Sequence, residues 1–318
     1  MSGSKVAIII INWNSFGFTN DCLNSLAEMD YEGAEIVLVD NCSADDSLSR
    51  LKAAHPQLHY VENDDNLGFS EGNNSGISYA LAHGFDYLLL LNNDTFVASD
   101  FLSQLMKMME ENPDAGAVQP KIFYNHDRSL IWSAGGKFSN AFTRSWTIGN
   151  NKKDTGAYDQ PREIDWVTGC AFLVRSSVVK EVGALSDLFF YGCYDDVEWS
   201  LRIRKAGHRL LYCPQSVVYH AVAASASGTK GKEGVLRPFF HYMVNRNHLI
   251  LLRLHTSTIF MVTSYIYQII KCGGNTAYFL LRNRPRKLKA ALHGFFHGLT
   301  KPLDPKALQH KHYIQRYR

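Results

Sequence analysis

The sequence predicts an α/β protein built on a mostly parallel, doubly wound sheet, followed by a helical extension. Three observations carry that expectation. Apolar runs alternate with helix-patterned segments through the first hundred residues, the order that produces parallel strands with crossover helices. The runs are continuously apolar and β-branched, as in strands buried on both faces. The charge is also divided: residues 236–318 carry 14 Lys/Arg and one acid, Asp304, although the 318-residue chain has a net charge of only +3. The expected division is a sheet domain over 1–235 and a basic helical extension over 236–318.

The elements follow in order. A first strand is expected over 6–11, a helix over 19–28 and a second strand over 35–40. Ser43 opens a short helix with Asp45 and Asp46 in its first turn, where acids favour the helix dipole. A short third strand (58–61), a helix (70–83) and a fourth strand (87–91) come next. From 116 to 175 the pattern is strand-like with glycine turns, and 164–174 is its strongest strand. A helix over 195–206 has Gly207 just past its end, and two short strands cover 209–213 and 217–219. Beyond about 235 the chain reads as helical. Its apolar stretch 259–270 is bounded by Arg253 and Lys271. That is too short for a membrane span of roughly 20 residues, so an interfacial or buried helix is expected.

Several classes are disfavoured. The six cysteines show no CxxC spacing, and no secretory-signal pattern opens the chain, so reduced thiols and a cytoplasmic location are expected. No GxGxxG follows the first strand and no GxxxxGK[ST] occurs, against a dinucleotide-dependent dehydrogenase or a P-loop enzyme. The sequence lacks a nucleic-acid recognition motif, and none is expected as partner.

Polar residues mark the strand ends. Asn12 and Asn14 follow the first strand, Asp40 and Asn41 the second, 63–66 the third, and Asn92-Asn93-Asp94 the fourth. Ligands of doubly wound sheets sit beyond the carboxyl ends of the strands. Turn chemistry explains any one of these sites; their shared rim points to a ligand. A hard cation bound by one or two carboxylates could neutralise a diphosphate there. Position alone leaves Asp94 open between metal ligand and Asx-turn or helix cap. Asp195 and Asp196 precede a helix and offer a general base, against the alternative that both serve its dipole while Glu198 pairs with Arg202. His220 ends a strand; imidazole suits Mn²⁺ better than Mg²⁺. Gly68 and Gly72 lie in a turn entering a helix, where backbone can approach a ligand closely.

The segments VAIIIINWN (6–14), LVDNCSADDS (38–47), NLGFSEGNN (66–74), LLNNDT (90–95), DWVTGCAFLVR (165–175), FFYGCYDDVEWSLRIRKAG (189–207) and VVYH (217–220) together resemble glycosyltransferase family 2, with its GT-A fold. Within it the chain is most similar to the rhamnosyltransferase-like branch, which builds bacterial surface polysaccharide from dTDP-rhamnose. The resemblance implies an inverting, metal-dependent transferase. Asp40 would contact the nucleobase, and Asn66 and Asn73 would line the nucleotide pocket with Asn12, Asn14, Gly68 and Asn93. Asp94 would be the last acid of the DxD motif and His220 would complete the coordination of Mg²⁺ or Mn²⁺. Asp196 would be the base and Asp195 would orient the acceptor. Trp166 and Gly169 would flank the donor sugar and acceptor. Two departures stand out: Asn92 replaces the first acid of DxD, and Asp195 replaces the usual Glu.

The expected partners are a nucleotide-diphosphate sugar and a glycan or lipid-linked glycan acceptor. Five bases in 282–289, with Phe295, Phe296 and Tyr313, suit an anionic membrane surface on the inner face of the cell membrane, against a solvated helical face. A homodimer is the remaining partner considered. The competing classes are a non-catalytic nucleotide-sugar or polysaccharide binder, and a nucleotidyltransferase, which should carry a basic glycine-rich loop where this chain has Asn12-Trp13-Asn14-Ser15.

Overall fold

The side chains of Val6, Ala7, Ile8, Ile9 and Ile10 are all fully buried, and this places strand β1 (Val6–Asn12) at the centre of the molecule. The computed structural model describes residues 4–190, 192–222, 227–231 and 234–308. After β1 come α1 (Phe16–Ala27), β2 (Ala34–Asp40), α2 (Ser47–Ala54), β3 (His59–Glu62), α3 (Gly68–Ala82), β4 (Tyr87–Leu91), β5 (Thr95–Val97) and α4 (Phe101–Glu111). The second half supplies β6 (Ala115–Tyr124), β7 (Leu130–Ser133), β8 (Gly136–Ser139), β9 (Arg144–Thr147), β10 (Lys152–Lys153), β11 (Arg162–Glu163), β12 (Ala171–Arg175), α5 (Ser176–Val182), α6 (Asp195–Lys205) and β13 (Arg209–His220). A hairpin, β14 (Ser227–Gly231) and β15 (Gly234–Leu236), leads to α7 (Pro238–His255), α8 (Met261–Leu281), α9 (Pro285–Thr300) and α10 (Pro305–Leu308).

The main sheet runs β10-β7-β6-β12-β4-β1-β2-β3. Strands β3, β2, β1 and β4 are parallel, while β12 is antiparallel to both of its neighbours. Residues of β1 alternate between the two faces. Val6, Ile8 and Ile10 meet Leu23 and Leu26 of α1 and Leu102, Leu105 and Met109 of α4. Ala7 and Ile9 share the opposite core with Ile77 of α3, Val178 of α5 and Trp199 and Ile203 of α6. Helices thus cover both faces, which is why the strands are apolar throughout.

The registers set the rim. Asn12 pairs with Asp40 across the parallel ladder, and Asp40 with Glu62. Because β12 runs the other way, its start at Ala171 pairs with Leu91 at the end of β4, bringing Gly169 and Cys170 to the same edge. Strand β13 is antiparallel to β5 and aligns His220 with Thr95, so His220 lies beside Asp94.

Three sequence expectations change, and a fourth is narrowed. The expected strand over 164–174 is formed only from Ala171. The amides before it leave the ladder: Val167 donates to Ser200 Oγ (3.0 Å), Thr168 to Gln119 Oε1 (2.9 Å) and Gly169 to Asp196 Oδ2 (3.0 Å). The helix expected from Ser43 starts at Ser47, because the Ser43 amide is held by Asp40 Oδ2 (2.9 Å) and that of Ala44 by Asn14 Oδ1 (2.7 Å). The two strands expected over 209–219 are one, with a register shift between Cys213 and Val217, where Pro214 has no amide to donate. Of the two alternatives for the apolar stretch 259–270, exposure of Ile259 (80%) and Ile270 (68%) removes the buried one.

Helix α7 joins the extension to the sheet domain. Ile250 and Leu251 pack with Trp166, Phe189 and Val197. Helix α9 lies on α7 at backbone contact, since a Cβ on Gly294 would fall 2.2 Å from the Tyr242 carbonyl oxygen and one on Gly298 2.5 Å from that of Arg246.

Candidate active site

The rim is organised by buried amides. Asn12, fully buried, donates from Nδ2 to Asp40 Oδ1 (2.9 Å), Ser43 Oγ (3.1 Å) and Ser47 Oγ (3.0 Å). Its Oδ1 accepts from Thr19 Oγ1 (2.9 Å), which in turn accepts from Asn93 Nδ2 (2.8 Å). One chain of hydrogen bonds therefore runs from the end of β4 to the end of β2. Asn12 and Asn93 serve as its links, and Asp40 is its terminus, also accepting from Ser43 Oγ at 2.7 Å. Asn14, exposed and at φ 48°, ties the first loop to the second through Ser43 (2.9 Å) and Ala44.

A second hub is Asn41, which the sequence places on the rim without marking a role for it. It is 2% exposed. Its Oδ1 accepts from the Leu67 amide and Asn63 Nδ2, both at 3.1 Å, and its Nδ2 donates to Asn66 Oδ1 (3.2 Å) and the Gly68 carbonyl (2.9 Å). Asn66 Oδ1 also accepts from the Gly68 amide (2.9 Å), shaping a turn in which Gly68 has φ 74°. Asn73 donates back to the Phe69 carbonyl at 2.9 Å. The only sequence signal for Asn41 was its place after β2; nothing in residue type marked it above its neighbours.

At the end of β4, Asp94 Oδ1 stands 3.0 Å from His220 Nε2, and both residues are 6% exposed. Asn92 Nδ2 lies 3.5 Å from the same nitrogen. Burial works against a charged His220, but Cys170 and Asp94 push it up to about 10. Burial raises the Cys170 thiol and keeps it neutral, so the Asp94 carboxylate is the cause that holds. His220 Nδ1 is buried without a hydrogen-bond partner. Among the described residues no group of three or more His, Cys, Asp or Glu could hold a metal. The pair fits a cation that takes its other ligands from a diphosphate and water: two donors at right angles and about 2.1 Å from an octahedral ion stand about 3.0 Å apart.

Asp195 and Asp196 begin α6. Asp195 is 3% exposed and accepts from Ser70 Oγ at 3.2 Å. Asp196 is half-buried; its Oδ2 accepts from the Gly169 amide at 3.0 Å and its Oδ1 from the Val197 amide at 2.8 Å. A Cβ on Gly169 would lie 3.1 Å from the Phe69 ring, so glycine lets that ring of α3 pack close to this loop. Burial raises both carboxyls, and the charge of Asp196 adds to the effect on Asp195, which reaches about 8. Glu198 is structural: it pairs with Arg202 (2.9 Å) and His255 (3.1 Å), while Arg202 also binds the Val182 and Ala184 carbonyls. Trp166 is committed too, its indole N–H donating to the Lys137 carbonyl at 3.0 Å and its ring packed on Phe189 and Val197.

The approach to Asp195 is strained, with Gly192, Cys193 and Tyr194 at φ 95°, 72° and 69°. Each non-glycine residue there costs about 1–3 kcal/mol unless its surroundings enforce it. Helix α7 enforces it. Asn247 Nδ2 donates to the carbonyls of Gly192 (2.9 Å) and Cys193 (2.8 Å), Arg246 Nη2 to that of Phe190 (3.3 Å), and His248 stacks on Tyr194. The sequence reading missed these residues. Their signal was a polar run, Asn245 to His248, inside an otherwise apolar helix.

A central mostly parallel sheet, helices on both faces and a rim of carboxylates and amides define a GT-A fold. Residues 7–183 match the sequence profile of Glycosyl transferase family 2, and the chain belongs to that family. Among its relatives is the low-salt glycan biosynthesis hexosyltransferase Agl10 of Haloferax volcanii, 25% identical over 209 residues. That match covers 65% of this chain and 64% of the relative, so the chain spans less than two thirds of its length. Among solved structures, Staphylococcus aureus TarS 1–349 with UDP-GlcNAc has a TM-score of 0.59 at 16% identity, covering 96% of this chain and 83% of that one. The mannosyltransferase PcManGT of Pyrobaculum calidifontis, with GDP-Man and Mn²⁺, has a TM-score of 0.53 at 17% identity, covering 98% and 80%.

Proposed function

We propose that this chain is an inverting glycosyltransferase that moves a sugar from a nucleotide diphosphate to an acceptor hydroxyl in glycan biosynthesis. The observation that carries the reading is the adjacent pair Asp195–Asp196, in which half-buried Asp196 is fixed by the Gly169 amide on the same rim as Asp94 and His220. A binder of sugar nucleotides has no need of a base held in place by backbone amides.

The roles follow from the surroundings. Two adjacent raised carboxyls share a proton. Asp195 is the more buried and keeps it, orienting the acceptor. Asp196, with two backbone amides stabilising its charge, is the anion that removes the acceptor proton. Asp40 recognises the nucleobase, held in place by Asn12 and Ser43. The turn of Asn66 and Gly68 and the buried Asn73 form the floor of the nucleotide pocket, and Asn92 and Asn93 flank the diphosphate. Asp94 and His220 would hold Mg²⁺ or Mn²⁺, which offsets charge on the departing diphosphate when bound.

The donor we favour is dTDP-rhamnose, on the sequence resemblance alone. TarS and PcManGT were solved with UDP-GlcNAc and GDP-Man, so a melting-temperature panel of all three donors with each metal selects among them. The acceptor is a glycan, carried on lipid at an anionic membrane whose inner face the basic extension approaches. The sheet domain over 1–235 and the extension over 236–318 divide these tasks.

The decisive measurement is Asp196→Asn. Transfer should fall by at least about a hundredfold, the low end of general-base contributions, while donor binding stays within a few-fold. Near-normal turnover would remove Asp196 as the base.

A further inference from the structure

Helix α8 is amphipathic in the reverse sense. Val262, Ile266, Ile269, Ile270, Leu280 and Leu281 are 51–87% exposed. At 100° per residue they fall within one stripe about 120° wide, and no charged residue interrupts it. The polar side chains face the protein instead. Ser264 and Gln268 are buried. Lys271, the sole charged residue of α8, reaches inward to His248 Nδ1 at 2.9 Å. Ser264 Oγ meets Thr143 Oγ1 at 3.0 Å. These bonds fix the rotation of the helix, so the apolar stripe cannot turn into the core. A helix facing water carries the opposite pattern.

We infer that the outer face of α8 lies flat on an anionic lipid bilayer. This rests on the proposed membrane-borne acceptor and names the surface that meets the membrane. No helix among the described residues is long and apolar enough to cross one, which leaves the interfacial plane. Charge selects the lipid. Arg282, Arg284, Arg286 and Lys289 follow the stripe directly, and 261–303 contains no Asp or Glu. A second copy docked on the same face would offer these bases only other bases. An anionic headgroup layer offers each of them a counter-charge.

The test uses the full chain and vesicles of phosphatidylcholine with and without phosphatidylglycerol. The wild type should bind the anionic vesicles at least about tenfold more tightly. The double variant Ile266→Glu/Ile270→Glu should lose at least about tenfold in binding, with unchanged melting temperature and unchanged transfer to a short soluble acceptor. Arg282→Glu/Arg286→Glu should lose about fivefold per base, and only on anionic vesicles. Equal binding by wild type and the isoleucine variant would overturn the inference. So would a wild type that ignores vesicles but sediments as a dimer dissolved by the same variant. If transfer is absent in wild type while vesicle binding behaves as expected, the glycosyltransferase reading fails and the docking surface stands.

Discussion

Two adjacent acids in a buried turn make this protein sensitive to pH in opposite ways. The folded carboxyls of Asp195 and Asp196 hold protons at higher pH than free side chains would. Between the ordinary carboxylate pKa of 3.8 and about 8 the native chain therefore binds more protons than the unfolded one at Asp195. The Asp195 contribution to stability is full below that interval and is lost as pH rises through it. Activity should run the other way, since only the ionised base accepts a proton. Ligand-free protein should melt at higher temperature on acidification from pH 8, before general acid unfolding intervenes, while kcat/KM declines as Asp196, itself raised by burial, takes up a proton. Asp195→Asn should flatten the melting trend. A melting profile unchanged by that variant would place the proton elsewhere. At this scale the sequence was legible where residue type and chemistry coincide: Asp94, His220, Asp195 and Asp196 are brought to one rim by the registers of β12 and β13. It was not legible for Asn41 and Thr19, whose importance is a matter of which hydrogen bonds reach them across 22 to 74 residues of chain.

The elements that could be read were those whose pattern is set by burial alone. Strands β1, β2 and β4 are covered by helices on both faces, so their apolar runs had one reading. The segment before β12 is also largely apolar, broken by Asp165 and Thr168, and its amides bind side chains from α6 and β6 instead of a ladder; only tertiary contacts decide between the two. Helix α3 shows how closely the layers meet. A Cβ on Gly76 would stand 2.4 Å from Ile9 Cγ2 and 3.0 Å from Val39 Cγ2, both in the core of the sheet. Alanine is the better helix former by about 1 kcal/mol in an exposed helix, so propensity predicts stabilisation. Packing predicts the reverse, because overfilling a tight core costs about 1–3 kcal/mol, and packing wins where the obstacle is a buried β-branched methyl. Gly76→Ala should lower the midpoint of urea unfolding without changing its slope. A raised midpoint would mean that the helix stands off the sheet.

The molecule as a whole places the turn of Asp195 and Asp196 between the sheet and the basic helical region that begins with α7. Phe190, Gly192 and Cys193 are held by Arg246 and Asn247 of α7, and Glu198 of α6 by His255 at the end of α7. The geometry of Asp195 and Asp196 thus depends on the extension as much as on the sheet, and α7 depends on α9, which is capped by Arg253 through the carbonyls of Gly298 (2.9 Å) and Lys301 (2.7 Å). Contacts of this kind couple folding, so sheet domain and extension should unfold in one calorimetric transition. Gly294→Val tests the coupling at its tightest point. The added methyls would drive into the Tyr242 carbonyl, backbone that no rotamer change can move, and separating α9 from α7 should cost about 3 kcal/mol or more. If the bodies are coupled, the whole transition shifts to lower temperature and transfer to a soluble acceptor falls with it, although Gly294 lies in the extension and outside the carboxylate rim. Two separated transitions, with full activity retained until the second, would show that the turn before Asp195 keeps its shape without its helical support.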